Sequence, residues 1–244
     1  MTRPGSQRRI RARSPARVLA LMILVSTLAL APSASASQPC AGILLNYFDG
    51  FNTRTLTTYG SKAYITTRPG ATCTGGQGAS AAWAMLASNY ASGYGGYAQS
   101  GYADLTTHPN RYFSQWRRSS QYAPVTVWGG APSSGQYYST YYNFDTGRIR
   151  MFVGGTLYDT TNFDPNANIW PKPWDSQFFG ETFWLQDDMP GTAVTHAVFS
   201  EIRYVTQRGG PWVAVPSGTF HVDGSRYHYT GNTSLFGIWT DPLQ

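Results

Sequence analysis

The sequence predicts a single all-β domain, and three observations carry that prediction. Beyond Ser37 the chain is rich in Tyr, Trp, Thr and Gly and poor in Lys and Glu, the composition that pleated, half-buried surfaces favour. Apolar and polar residues alternate over short runs, with turn-forming dipeptides between them. No charge run or low-complexity linker divides residues 37–244, which are enough for one substantial core.

Taken in order, strands are expected over residues 63–67, 80–91, 97–105, 111–117, 125–128, 136–143, 149–153, 177–185, 194–205 and 227–229. The alanine-rich run 80–91 has helical propensity, but the alternation of Trp83, Met85 and Ala87 favours a strand. Asp145-Thr146-Gly147 and Asp223-Gly224 supply hairpin chemistry, because Gly accepts the positive φ such turns require. Residues 156–175 show no period and carry Pro165, Pro171, Pro173, Trp170 and Trp174, which predicts a long ordered loop. Such a loop serves either function or the covering of a sheet edge.

The formal charge of +6 is a property of one end of the chain. Six arginines, from Arg3 to Arg17, precede the apolar run 18–30, and Ala34-Ser35-Ala36 follows it, the pattern of an export signal cleaved before Ser37. The remainder holds 12 basic against 12 acidic side chains. That balance removes the electrostatic basis for nucleic-acid binding, and the apolar run is too short to leave the cleaved protein a membrane span. Cys40 and Cys73 are the only cysteines, and in an exported chain they are expected to form a disulfide.

The chemistry-bearing residues are few. No G-x-S-x-G elbow, H-E-x-x-H, phosphate-binding loop or dinucleotide glycine pattern occurs. Asp164-x-Asn166-x-Asn168 begins like a calcium loop, but Ile169 stands where that loop needs glycine, so no metal and no cofactor is expected. His108, His196, His221 and His228 are scattered. What remains is Glu181, one of two glutamates in the chain, inside the run Gln177-Phe178-Phe179-Gly180-Glu181-Thr182-Phe183-Trp184-Leu185. As a strand this run puts Phe179, Glu181, Phe183 and Leu185 on one face, and burial among them would raise the carboxyl pKa. A poised acid-base group and a structural glutamate bonded to backbone both fit that setting. Gln99 shares its face with Gly101 and Ala103, small residues that leave room for a ligand, although by itself a polar residue here reads first as an amide capping a strand edge. Together, a carboxylate that takes a proton from water and an amide that donates to the carbonyl oxygen suffice for amide hydrolysis. Glu201 lies two residues from Arg203 and reads as one half of an exposed ion pair rather than as a second catalytic acid.

The succession Ala82-Trp83-Ala84-Met85-Leu86, Tyr97-Ala98-Gln99-Ser100-Gly101-Tyr102, Tyr112-Phe113-Ser114-Gln115-Trp116, Phe179-Gly180-Glu181 and Val198-Phe199-Ser200-Glu201-Ile202 resembles the strand order of the glutamic peptidases of the eqolisin type. Those are secreted, pepstatin-insensitive acid proteases. The resemblance, which spans roughly residues 80–205, implies an antiparallel, concanavalin-like β-sandwich of jelly-roll type; residues 80–244 are expected to form the sandwich, with residues 37–79 packed on it. It implies a secreted, monomeric hydrolase acting on peptide or protein, in which Glu181 is the general base and Gln99 steadies the oxyanion. Trp83, Trp116, Trp170 and Trp174 are the expected substrate contacts. The chain departs from the family's W-I-[VL]-E pattern, having Phe178-Phe179-Gly180-Glu181 instead. It is also similar in outline to the neprosin-type proteases, which use two glutamates where this chain has Gln99 and Glu181. A different reading of the same fold is a lectin-like module binding polysaccharide through Tyr137, Tyr138, Tyr141, Tyr142, Trp170 and Trp174.

Overall fold

The computed structural model describes residues 38–42, 44–54, 56–88, 95–167 and 170–241. The export segment expected over residues 1–36 lies outside them, as does the end of the strand expected over 80–91. Among the described residues every regular element is a strand. They are β1 (Tyr47–Asn52), β2 (Gly60–Thr66), β3 (Ala79–Ser88), β4 (Tyr97–Leu105), β5 (Arg111–Arg117), β6 (Val125–Trp128), β7 (Gly135–Asn143) and β8 (Arg148–Val153). They continue with β9 (Thr156–Thr160), β10 (Trp174–Thr182), β11 (Ala197–Val205), β12 (Val213–Ala214), β13 (Thr219–Val222), β14 (Tyr227–Asn232) and β15 (Leu235–Thr240). A seven-stranded sheet runs β13-β1-β10-β3-β4-β5-β6, and an eight-stranded sheet runs β14-β15-β11-β2-β7-β8-β9 with β12 paired to β11. All the strand pairings are antiparallel, so the architecture is a two-sheet β-sandwich.

Strand β3 sits at the centre of the first sheet and is buried along its whole length. Its alternation sends Ala82, Ala84 and Leu86 into the space between the sheets, and Ala81, Trp83, Met85 and Ala87 to the opposite face. Two-sided burial overrides the helical propensity of its alanines. The intersheet core holds Phe51, Phe178, Phe199, Phe236 and Ile238 at one end, with the Phe199 and Phe236 rings stacked at 4.5 Å. Leu86, Ile149, Met151, Trp170 and Trp174 fill the other end. Each such side chain contributes about 1.5–3 kcal/mol by leaving water.

Several expected boundaries move. Residues 37–79 do not merely pack on the sandwich: β1 enters the first sheet and β2 the second. The interval 156–175 is not all loop, since β9 opens it and β10 begins at Trp174. Gly154 and Gly155, with φ of 60° and 84°, form the two-residue turn between β8 and β9, a glycine pair that is itself a hairpin signal. Strand β10 starts and ends three residues earlier than expected, so Phe183 and Leu185 fall beyond it. Gly147 does turn the β7–β8 hairpin, whereas Asp223-Gly224 joins β13 to β14, which lie in different sheets.

The disulfide between Cys40 and Cys73 is formed, with 33 residues of sequence separation. On the chain-entropy account a bridge over such a loop stabilises by about 3–4 kcal/mol. Asp187 secures the same region: its carboxylate accepts backbone N–H groups from Cys73, Ala79, Phe183 and Trp184 at 2.7 to 3.3 Å. The loop ahead of β3 and the end of β10 are thereby fixed together.

Candidate active site

The outer face of the seven-stranded sheet carries a groove of about 530 Å³ whose floor is set by strand register. One row across the strands reads Phe48, Glu181, Ala81 and Ala103. The next on this face reads Gly50, Phe179, Trp83, Gly101, Phe113 and Trp128. A third reads Asn52, Gln177, Met85, Gln99, Gln115 and Thr126. The floor is therefore a carboxyl row, an aromatic row and an amide row, repeating every two residues as the pleat requires.

Glu181 is partly exposed to this groove. Its Oε1 accepts from Asn46 Nδ2 at 2.7 Å and its Oε2 from Trp83 Nε1 at 2.9 Å. Both bonds favour the ionised form, yet the surroundings are apolar: Phe48 and Phe179 pack on Trp83 with ring centroids 6.3 and 5.5 Å away. Burial prevails over the Trp83 hydrogen bond, and the carboxyl pKa is pushed up to about 7. The side chain is bonded to side chains rather than to backbone. The alanines at its two neighbouring positions, Ala81 and Ala103, leave space above the sheet.

Gln99 is 5% exposed and does not cap an edge. Its Nε2 donates to Gln115 Oε1 at 3.0 Å, an oxygen that also accepts from Tyr97 Oη at 2.7 Å, and Gln115 Nε2 donates to Thr126 Oγ1 at 2.8 Å. Gln177 Nε2 donates to Asp175 Oδ2 at 3.0 Å. Burial pushes the Asp175 carboxyl up to about 7 against the Gln177 hydrogen bond and the charge of Arg54.

Gln99 and Glu181 share the groove but do not converge. Glu181 lies opposite Ala81, and Ala81 opposite Ala103, four residues along β4 from Gln99. That offset is about 13 Å along the strands and about 10 Å across two strand spacings. No one water bonds to both side chains, which corrects the dyad expected from the sequence. The group in line with Gln99 across β3 is Gln177. Trp174-Asp175-Ser176-Gln177 also carries the spacing of the W-I-[VL]-E pattern, with an amide in place of the acid.

The tryptophans divide. Trp83 lines the groove, but Trp116, Trp170 and Trp174 are buried between the sheets and contact no substrate there. Their aromatic character was legible and their direction was not. Tyr138 and Tyr142 are likewise core residues, while Tyr137 and Tyr141 face outward from the second sheet. Glu201 is exposed, as expected, but its partner is the Tyr137 hydroxyl at 2.5 Å rather than Arg203, because a bulge interrupts β11 between Ser200 and Arg203. Asp164 accepts from Tyr142 Oη and from the Asn166 N–H, and Asn168 and Ile169 of the calcium-like run lie outside the described residues. Among the described residues no cluster of three or more His, Cys, Asp or Glu side chains has a metal-binding arrangement. Asn46, Asn52, Gln115 and Gln177 were not singled out because amides carry no motif; the row that Asn52, Gln177 and Gln115 form with Gln99 exists only once the register is fixed.

No family model and no curated protein matches the chain. Solved structures do. A scytalido-glutamic peptidase with a peptide-based transition-state analogue superposes at TM-score 0.56 and 9% identity, over 81% of this chain and 100% of the other. SCP-B, a member of the eqolisin family of peptidases in complex with the tripeptide Ala-Ile-His, superposes at TM-score 0.51 and 9% identity over the same shares. At such identities the likeness is one of architecture, and this chain has the fold of the glutamic peptidases.

Proposed function

We propose that the groove takes up an extended polypeptide and that Glu181 acts as the proton acceptor for attack of water on a peptide bond. The setting of Glu181 carries this reading: a carboxyl in an open apolar groove, fixed by Trp83 and Asn46, with a pKa of about 7. Ionised, it removes a proton from water as the water oxygen bonds to the carbonyl carbon, and the C=O electron pair moves onto oxygen. The second N–H of the Asn46 amide is available to that oxyanion, the role the sequence pointed to for Gln99. The proton on Glu181 then passes to the departing nitrogen as the C–N bond breaks, giving an acid and an amine. The amide row of Asn52, Gln177, Gln99 and Gln115 supplies donors and acceptors for the substrate backbone on one side of the scissile bond. The architecture shared with peptidases solved around peptide ligands supports a polypeptide as the substrate class, and the disulfide fits an exported protein.

One observation favours a second reading, in which the groove holds peptides without cutting them: an amide, Gln177, faces Gln99 where the family pattern has its acid. Denatured casein separates the two. On the first reading new amino termini accumulate, and Gln99→Ala raises KM about fivefold with kcat within about twofold, as expected for a residue that binds substrate rather than reacts. Casein retained intact supports the second reading, and a collapse of kcat in Gln99→Ala contradicts the role given to Gln99.

A further inference from the structure

A second binding surface lies on the outer face of the eight-stranded sheet, opposite the groove. There a cleft of about 370 Å³ is lined by Lys62, Tyr137, Ser139, Tyr141, Phe152 and Trp212, closed at one side by the glycines of the loop ahead of Trp212. Gly60 makes it what it is: a Cβ there would stand 3.0 Å from Trp212 Cη2 and 3.2 Å from Tyr141 Cδ2, so the missing side chain lets the indole lie against the sheet beside Tyr141. The Tyr141 and Trp212 rings sit 6.2 Å apart, inclined at 51°. Lys62 Nζ stands 4.4 Å from the Tyr137 ring centroid.

The charge around these rings is one-sided. Lys62 is cross-strand neighbour to Arg203, and Tyr141 to Arg150. None of these three cations makes an ion pair among the described residues. No carboxylate lines the cleft. The nearby acid, Glu201, is engaged by the Tyr137 hydroxyl. Aromatic faces of fixed orientation, hydroxyls from Ser139 and Tyr141, and three cations without an ion-pair partner among the described residues lie together on this face.

We infer that this cleft binds an acidic polysaccharide, with a sugar ring stacked on Trp212 and Tyr141 and the carboxylates of uronic acid units meeting Lys62, Arg203 and Arg150. The C–H face of a pyranose matches an indole or phenol face, and its equatorial hydroxyls match the polar rim. The cations select an anionic chain over a neutral one. The surface is separate from the groove and would anchor the protein on a uronate-bearing polymer while leaving the groove free. It does not depend on Glu181 or on hydrolysis.

The test is titration of the full chain with polygalacturonate, followed by tryptophan fluorescence and calorimetry, beside poly-glutamate and a neutral glucan. Polygalacturonate is expected to bind at least about fivefold more tightly than either comparison polymer, and more weakly in about 500 mM salt than in about 50 mM. Trp212→Ala is expected to weaken binding at least about tenfold, and Lys62→Ala at least about threefold, while Trp212→Phe, which keeps a stacking face, retains most of it. An unchanged circular dichroism spectrum identifies the Trp212→Ala loss as one of contact rather than of folding. Equal binding of poly-glutamate would transfer the surface to acidic peptides and overturn the inference. So would unaltered affinity in Trp212→Ala, or no binding of polygalacturonate at all.

Discussion

Glu181→Gln is expected to lower kcat/KM on denatured casein by about a hundredfold or more, the span a positioned general base supplies, with the loss falling on kcat. Glutamine preserves the shape of the side chain, and its carbonyl oxygen still accepts from Trp83 or Asn46, whose bonds to the carboxylate are 2.9 and 2.7 Å. What it lacks is basicity, so binding should survive while proton abstraction does not. Asn46→Ala removes a donor to the carboxylate and the proposed donor to the oxyanion, and a loss of about tenfold to a hundredfold is expected there. Retained activity in Glu181→Gln would remove that residue from the chemistry and leave the hydrolytic reading without a base.

The second large effect concerns stability. Asp49 points from β1 into the intersheet space, is fully buried, and neither of its carboxylate oxygens has a hydrogen-bond partner among the described residues. Burial, with the charge of Asp223 added, pushes its pKa up to about 8. The folded protein thus binds this proton more tightly than the unfolded chain, whose aspartate titrates near its ordinary value of 3.8. The sign follows: the stabilising contribution is fully present below about pH 4 and is lost as pH rises toward 8, for a total on the order of 5 kcal/mol. Asp175 and Glu181, both pushed up to about 7, act in the same direction. Thermal unfolding should show a midpoint about 10 °C or more higher at pH 5 than at pH 8. Asp49→Asn, which cannot ionise, should flatten much of that slope and melt above the wild type at pH 8. A wild-type midpoint independent of pH, or a variant whose profile runs parallel to it, would contradict the assignment.

Stability and hydrolysis are therefore expected to move oppositely with pH. The same desolvation that favours a protonated Asp49 makes Glu181 a base only when the medium is near neutral. The acid optimum implied by the resemblance to acid proteases does not follow from this site, because burial pushes the Glu181 carboxyl up to about 7.

Strand content was legible where one face is apolar and the other is not. Strands β4, β5 and β6 have the boundaries their alternation predicts. Strand β10 shifted by three residues because Phe178 and Phe179 are both buried, one between the sheets and one against the groove, so apolarity does not tell its two faces apart. Strand β1 was hidden by Asp49 and Gly50 in its centre, and β15 by Gly237. For the site, parity along each strand grouped Glu181 with Phe179, and Gln99 with Gly101 and Ala103; that Glu181 and Gln99 lie on one face of one sheet is seen only in the strand register. Their separation depends on how β10, β3 and β4 align, and no local pattern encodes that offset. The disulfide was legible because two cysteines allow only one intramolecular pairing.

The dependence of kcat/KM on pH tests the central claim most directly. With Glu181 as the base, log kcat/KM for a denatured protein substrate should rise with unit slope from pH 4, bend near pH 7 and level above it, tracking the ionised fraction of this one carboxyl. A maximum near pH 3 to 4 with activity falling through neutrality, or a profile flat across about pH 4 to 8, would contradict the account.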